Sequence, residues 1–280
     1  MIRTAAERLR AAGIDNPRHD AQLLMIEAFG DTRAALITAA QAVVPAQVQA
    51  RFEAAITRRE AREPLQHILG WTGFYGLELK TDARALIPRP DSECAVEVAL
   101  ALVPEKGKLE IADLGTGSGC LLAALLANLP DAEGTGVEAD PAAASLAREN
   151  FALCGLEARA SVLGGKWSDW TGWRTADLII SNPPYIPTHV IESLEPEVKD
   201  FDPPAALDGG ADGLAACREI IRLGGTYMKR GVPLVLEIGH DQRAAVHALL
   251  AEARFTEMGH RLDLGGNDRC VWGLAPGRAN

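Results

Sequence analysis

The sequence has no apolar run approaching the roughly 18 residues that a membrane-spanning helix requires. Its opening stretch, MIRTAAERLRAAGID, lacks the apolar centre of a secretory leader and carries Glu7 and Asp15, which a transit peptide would avoid. The expectation is a cytoplasmic protein with no membrane partner. The cysteines are few, scattered and odd in number (94, 120, 154, 217 and 270), and no CxxC pair occurs. That excludes a disulfide framework and reads as reduced thiols. The histidines (19, 67, 189, 240, 247 and 260) form no metal-spaced set, so no metal is expected. No basic run is present. The net charge is −10, with 10 Lys/Arg against 9 Asp/Glu in residues 1–80 and 18 against 29 thereafter. A protein that grips a long nucleic-acid backbone needs a basic face, so the balance favours a protein or small-molecule substrate without direct nucleic acid. Internal repeats and low-complexity segments are also absent.

What is present is ordinary globular material: 280 residues, 48% hydrophobic and 24% charged. Residues 1–62 are rich in Ala, Leu, Arg, Glu and Gln, with apolar residues at helical spacing and breaks at Gly13–Pro17, Gly30-Asp31 and Val44-Pro45. They read as a small helical domain, either an embellishment packed on a larger domain or a partner-docking module. Residues 63–90, punctuated by Pro64, Gly70, Gly73 and Gly76, read as a β-hairpin linker. Residues 91–280 then alternate short apolar runs with helical stretches. Strands are expected at 109–114, 133–137, 158–163, 177–180, 232–238, 254–260 and 269–273. The whole is α/β, a doubly wound seven-stranded sheet preceded by a small N-terminal helical domain.

Two places in this pattern carry chemistry. The first is Gly115-Thr116-Gly117-Ser118-Gly119, directly between the strand 109–114 and a helix from Cys120 to Asn128. Glycines at such a turn let a ligand approach the backbone closely, with a helix amino terminus behind it. About twenty residues on, the next strand ends in Glu138, where a carboxylate can accept both hydroxyls of a ribose. The turn is not a phosphate-binding Walker loop and lacks the full GxGxxG dinucleotide spacing. The alternative is a tight strand-to-helix turn with a solvated Glu. Trp167, between two expected strands, is either a wall for an adenine ring or core.

The second is Ser181-Asn182-Pro183-Pro184-Tyr185, after the strand Asp177-Leu178-Ile179-Ile180. Two prolines cannot continue a strand ladder, so the chain leaves the sheet at Asn182 and runs stiffly over its carboxyl edge, where open α/β sheets bind ligands. The side-chain carbonyl of Asn182 and the backbone carbonyl of Pro183 are two acceptors on a rigid support, and Tyr185 adds an aromatic wall. Such a pair suits a planar NH2 group; no strong base is present, which points to an amide or exocyclic amine. The alternative is a Pro-rich exit loop with a capping Asn. The acidic stretch Glu192–Asp202 and the following Pro203-Pro204 read as a lid or substrate-binding loop.

Together these parts resemble a class I S-adenosylmethionine-dependent methyltransferase with a Rossmann-like sheet. More narrowly, the chain is similar to the protein-glutamine methyltransferases that modify peptide-chain release factors, the PrmC/HemK family. The segments that carry the resemblance are Glu63–Gly70 (EPLQHILG), Ile87–Glu93 (IPRPDSE), Asp113–Gly119 (DLGTGSG), Asn182–Tyr185 (NPPY) and Gly266–Arg269 (GNDR). The resemblance implies methylation of the side-chain amide of the glutamine in the Gly-Gly-Gln motif of class 1 release factors. S-adenosyl-L-methionine would be the donor and S-adenosyl-L-homocysteine the product. It implies that Gly115, Thr116, Gly117, Ser118 and Gly119 line the cofactor, that Glu138 binds its ribose, that Trp167 lies beside its adenine, and that Asn182 also borders it. Asn182, Pro183, Pro184 and Tyr185 would hold the substrate amide, and residues 1–62 would dock the release factor, the enzyme working as a monomer. Two positions depart from the family pattern: Lys166 where Asp is common, and Glu138 for Asp. The rival readings are an adenine-N6 type nucleic-acid amino-methyltransferase, which would use the same Asn-Pro-Pro-Tyr chemistry on a flipped base, and a non-catalytic cofactor-binding interaction protein.

Overall fold

The computed structural model describes residues 1–30, 44–104 and 107–277. They divide into two compact units, 1–71 with 195–201, and 72–194 with 202–280. The helical reading of residues 31–43 lies outside the described residues.

In the first unit, helices α1 (Ile2–Ala11), α2 (Pro17–Phe29), α3 (Ala46–Glu60) and the short α4 (Leu65–Leu69) gather around Leu9, Leu24, Phe52 and Ile56, all essentially inaccessible. Pro17 suits the first turn of α2, where its missing N–H has no partner to lose, and Gly30 ends the helix at a φ of +67°. The charged Arg59–Asp20 pair is buried in this unit at 2.8 Å. Arg59 and Arg62 also bind Glu197, at 3.0 and 2.6 Å, which ties the segment 195–201 and its short helix Pro196–Lys199 to the helical unit. A contiguous division at residue 62 does not anticipate this, because the partners lie more than 130 residues apart.

The expected hairpin over 63–90 needs correction. Its strands, β1 (Trp71–Phe74) and β2 (Leu77–Lys80), occupy only the middle. Residues before them form α4, bounded by Pro64 and by Gly70 at a φ of +81°. Five residues are too few to display helical periodicity. The turn Tyr75-Gly76 has both φ values positive, +49° and +80°, the two-residue geometry whose twist matches that of paired strands. Asn150 pins β2 in place, accepting from the Lys80 N–H at 2.7 Å and donating to the Lys80 carbonyl at 3.1 Å.

The second unit is built on a seven-stranded sheet of β3 (Glu110–Leu114), β4 (Glu133–Glu138), β5 (Ala160–Gly164), β6 (Leu178–Ser181), β7 (Pro233–Glu237), β8 (Thr256–Leu262) and β9 (Asp268–Leu274). The order across the sheet is β5-β4-β3-β6-β7-β9-β8, parallel through β7, with β9 antiparallel to β7 and β8 antiparallel to β9. Helices α5 (Glu93–Leu102), α6 (Cys120–Asn128), α7 (Pro141–Leu153), α8 (Ala215–Tyr227) and α9 (Arg243–Glu252) complete it. Two apolar layers result. One contains Leu122, Leu125, Ile111 and Ile180, the other Leu114, Ile179, Leu236 and Val246. Central strands buried on both faces explain why they read as continuous apolar runs. The α/β sheet with seven strands is as the sequence pattern implies, and each strand begins and ends within two residues of its expected place. From β3 the chain turns to β4 on one side and later returns through β6 on the other. That reversal opens a crevice at the carboxyl ends of β3 and β6.

Candidate active site

A cavity of about 680 Å3 occupies this crevice, and every residue lining it belongs to the second unit. Its floor is the turn after β3. Gly115, Gly117 and Gly119 stand at φ of +70°, +55° and +83°, a run of left-handed conformations that residues with a Cβ adopt only under strain. The turn is anchored across to β4, since the N–H groups of Gly115 and Thr116 both donate to the Val137 carbonyl, at 2.8 and 3.3 Å. Thr116 donates its hydroxyl to Asp113 at 2.6 Å. Asp113 is buried and burial pushes its carboxyl up to about 7, against the opposing pull of Thr116.

Glu138 stands at the end of β4 and lines the cavity. One of its oxygens accepts from the Gly117 N–H and the other from the Asp140 N–H, both at 2.9 Å. Each oxygen keeps a second lone pair, so the fixed carboxylate can still accept hydroxyls from a ligand. Trp167 also lines the cavity. Its carbonyl accepts the indole N–H of Trp173 at 2.8 Å, and its ring edge would lie 3.5 Å from a Cβ built on Gly115. Lys166 and Ser168 flank it on the lining.

The Asn-Pro-Pro-Tyr segment continues from β6. Asn182 and Pro184 face the cavity. The Asn182 amide Nδ2 donates to the Ser92 hydroxyl at 3.3 Å, which leaves the side-chain carbonyl as the group available to a ligand. Pro183 is buried. Tyr185 is not part of the cavity lining, unlike the aromatic wall expected of it. Its hydroxyl lies 3.4 Å from Glu237 and 3.5 Å from Arg269, and its carbonyl accepts from Gln242 at 2.9 Å. Burial beside Glu237 pushes the phenol up to about 12. The tyrosine therefore holds the loop by its outer end. Gly119 likewise lies behind the cavity, where it caps α6 against Phe151.

Of the expected site residues, the structure thus brings Gly115, Thr116, Gly117, Ser118, Glu138, Trp167, Asn182 and Pro184 onto one surface. It adds others that motif reading passed over. Arg89 lies on the lining and donates at 2.9 Å to Asp202, whose side chain is fully buried and whose pKa burial raises. Ser92 also lines the cavity, at 2% exposure, and Glu237, which ends β7, is buried off the lining. Glu237 carries the same signature that singled out Glu138, an acid closing an apolar strand, and that signal would have found it.

The cavity suits S-adenosyl-L-methionine on this structure's own features. The glycine-rich floor admits close approach of a ligand to the backbone at Gly115 and Gly117, the fixed carboxylate matches a ribose diol, and Trp167 with Leu86, Ile87 and Val137 supplies apolar walls for a purine.

Comparison with known proteins agrees. Residues 1–70 match the family described as the PrmC N-terminal domain, and residues 93–194 match the methyltransferase small domain family. The chain is 43% identical over 270 residues to the release factor glutamine methyltransferase of Caulobacter vibrioides, covering 96% of this chain and 93% of that one. It is 42% identical over 271 residues to the protein of the same description from Rhodospirillum rubrum, covering 97% and 83%. Among solved structures, the human methyltransferase 10 domain containing protein aligns with a TM-score of 0.53 over 72% of this chain and 90% of that one, at 17% identity, a likeness of fold alone.

Proposed function

This chain belongs to the release factor glutamine methyltransferase family, and on that premise we propose how its residues perform the reaction. It is an S-adenosyl-L-methionine-dependent protein-(glutamine-N5) methyltransferase. Its substrate is the side-chain amide of the glutamine in the Gly-Gly-Gln motif of class 1 release factors.

When bound, S-adenosyl-L-methionine supplies an electrophilic methyl group on a sulfonium. The turn residues Gly115 to Ser118 and Glu138 would hold its methionine and ribose parts, and Trp167 would stand beside the adenine. The residues that act on the substrate are those of the loop after β6. An amide nitrogen is a poor nucleophile because its lone pair is delocalised into the carbonyl. The side-chain carbonyl of Asn182 and the backbone carbonyl of Pro183 accept its two N–H bonds. Both hydrogens are then fixed, the nitrogen is drawn toward a pyramidal form, and its lone pair faces the cofactor side of the cavity. Positioning of this kind contributes roughly 7–11 kcal/mol of barrier lowering. The same two acceptor dipoles face the positive charge that develops on nitrogen, and they are already oriented before the reaction. The surplus proton departs to solvent after transfer, so no general base is needed. The observation that supports this reading is that Asn182 lines the cavity with its Nδ2 engaged by Ser92, which leaves the side-chain carbonyl to accept.

Residues 1–62 serve as the docking domain for the release factor. The enzyme works as a monomer in the cytoplasm and acts on protein rather than nucleic acid, in keeping with its net charge of −10. Mass spectrometry of a purified class 1 release factor incubated with this protein and S-adenosyl-L-methionine tests the assignment. One added methyl group on the Gly-Gly-Gln glutamine is expected. An unmodified glutamine in the presence of bound cofactor would overturn it.

A further inference from the structure

Glu237 is the last residue of β7 and is 1% exposed. The register of β6 and β7 pairs Ser181 with Leu236, so Glu237 and Asn182 are the next residues along these two strands, at the same sheet edge. Tyr185 donates to one carboxylate oxygen, Oε1. The other, Oε2, is buried without a hydrogen-bond partner among the described residues. Such an orphan acceptor is expensive unless it has work to do. The Ser92 hydroxyl, 2% exposed, accepts from the Asn182 amide at 3.3 Å and lowers the pKa of the Glu237 carboxyl, so its own proton and the unpartnered Oε2 are a donor and an acceptor left to each other.

A serine hydroxyl has one proton to give, and an ionised carboxylate can only accept. With Glu237 charged, the Ser92 proton is directed to it, and the Ser92 oxygen is left to accept from Asn182 Nδ2. A neutral group in place of the carboxylate, able to donate, reverses the chain. Ser92 would then donate toward Asn182 and the amide would turn over, presenting two N–H donors to a substrate amide that also offers two.

We infer that Glu237, acting through Ser92, is a positioning residue that sets which face of the Asn182 amide meets the substrate. This rests on the acceptor role of Asn182 proposed above. The carboxyl is pushed up to about 7 by burial, opposed by Ser92, Arg269 and Tyr185 and reinforced by Asp91. Cys94, Cys120 and Cys270 also feel its charge. Tyr185 and Cys120 are each pushed up to about 12, and Cys270 is raised by burial. Cys94 is held below the usual thiol range by Cys270 and supplies the control.

The test uses the full-length enzyme and a class 1 release factor at saturating cofactor. Glu237→Gln and Ser92→Ala are each expected to lower kcat about 100-fold, the scale of loss for a mispositioned catalytic group. In Glu237→Gln, a change off the cavity lining, cofactor affinity should stay within about threefold of wild type. The wild-type kcat should rise through an inflection near pH 7. Glu237→Gln should abolish that inflection and Cys94→Ala should keep it. The double variant should be no slower than either single one, because either change already breaks the chain. Wild-type kcat in Glu237→Gln, an inflection that survives that change, or losses that multiply in the double variant would each overturn the inference. If instead Asn182→Ala is fully active, the acceptor reading falls and the inference falls with it. Loss in Asn182→Ala beside normal rates in Glu237→Gln would remove the inference alone.

Discussion

Glu138 reaches back from the end of β4 to accept the Gly117 N–H at 2.9 Å, so the acid and the glycine turn are one structural unit. Glu138→Ala removes a ligand acceptor and also strands the N–H groups of Gly117 and Asp140. Hydrogen bonds to a charged group contribute about 1.5–3 kcal/mol each. Calorimetry should therefore find cofactor affinity lowered about 10- to 100-fold, while kcat at saturating cofactor stays near wild type. A kcat loss with unchanged affinity would remove Glu138 from the cofactor site.

Asn182→Ala is expected to do the reverse. Without the side-chain carbonyl the substrate amide is held at one hydrogen only, and methyl transfer should slow at least about 100-fold, as when one oriented polar group is lost from an active site. Cofactor binding should be unchanged within about threefold. Single-turnover transfer measured beside calorimetry separates the two quantities, and full activity would end the acceptor reading.

Asp113 makes stability depend on pH in an unusual direction. Its folded pKa of about 7 lies above the ordinary 3.8, so the folded state holds the proton more tightly than the unfolded chain. The favourable contribution is complete below about pH 4 and is lost as pH rises through 7. Asp113→Asn has no proton to lose. Relative to this variant, wild type should lose stability between pH 4 and 8, on the order of 4 kcal/mol. Urea unfolding across that range measures the difference, and a gap that does not change with pH would contradict it.

Gly119 combines a φ of +83° with a tight neighbourhood, since an added Cβ would lie 2.7 Å from the Phe151 ring and 3.3 Å from Ala147. Gly119→Ala should lower unfolding free energy by about 2–4 kcal/mol, from backbone strain and overpacking together. Phe151→Leu in the same background should recover part of the loss. A melting temperature unaffected by Gly119→Ala would show that the turn relaxes.

Legibility in the sequence followed physical locality. Leu178-Ile179-Ile180 and Leu234-Val235-Leu236 are buried on both faces, so nothing polar interrupts them and they read as strands on sight. The glycine turn and Asn182 were legible because their chemistry lies within a few consecutive residues. Glu237 carries the same strand-ending signal as Glu138, but its role, like that of Ser92, comes from neighbours supplied by other elements and is not legible locally. The same holds for Arg59 and Glu197, joined across 138 residues. Tyr185, expected as an aromatic wall of the site, departs from that reading for a related reason: Glu237 and Arg269, which lie beside its hydroxyl, come from distant parts of the chain.

The irregular pairing of β8 with β9 has a consequence beyond the site. β8 ends the sheet, and nearly all its residues are exposed. Its register shifts twice, between Thr256 and Gly259 and between Arg261 and Leu262, and Glu257 has a φ of +47°. A straight outer strand would offer a row of unpaired amides on which a second chain could zip up and seed aggregation. The kinks break that row, and Glu257, His260 and Arg261 set charge and bulk along it. The sheet's last strand is in this way a poor template, and growth of the sheet stops at seven.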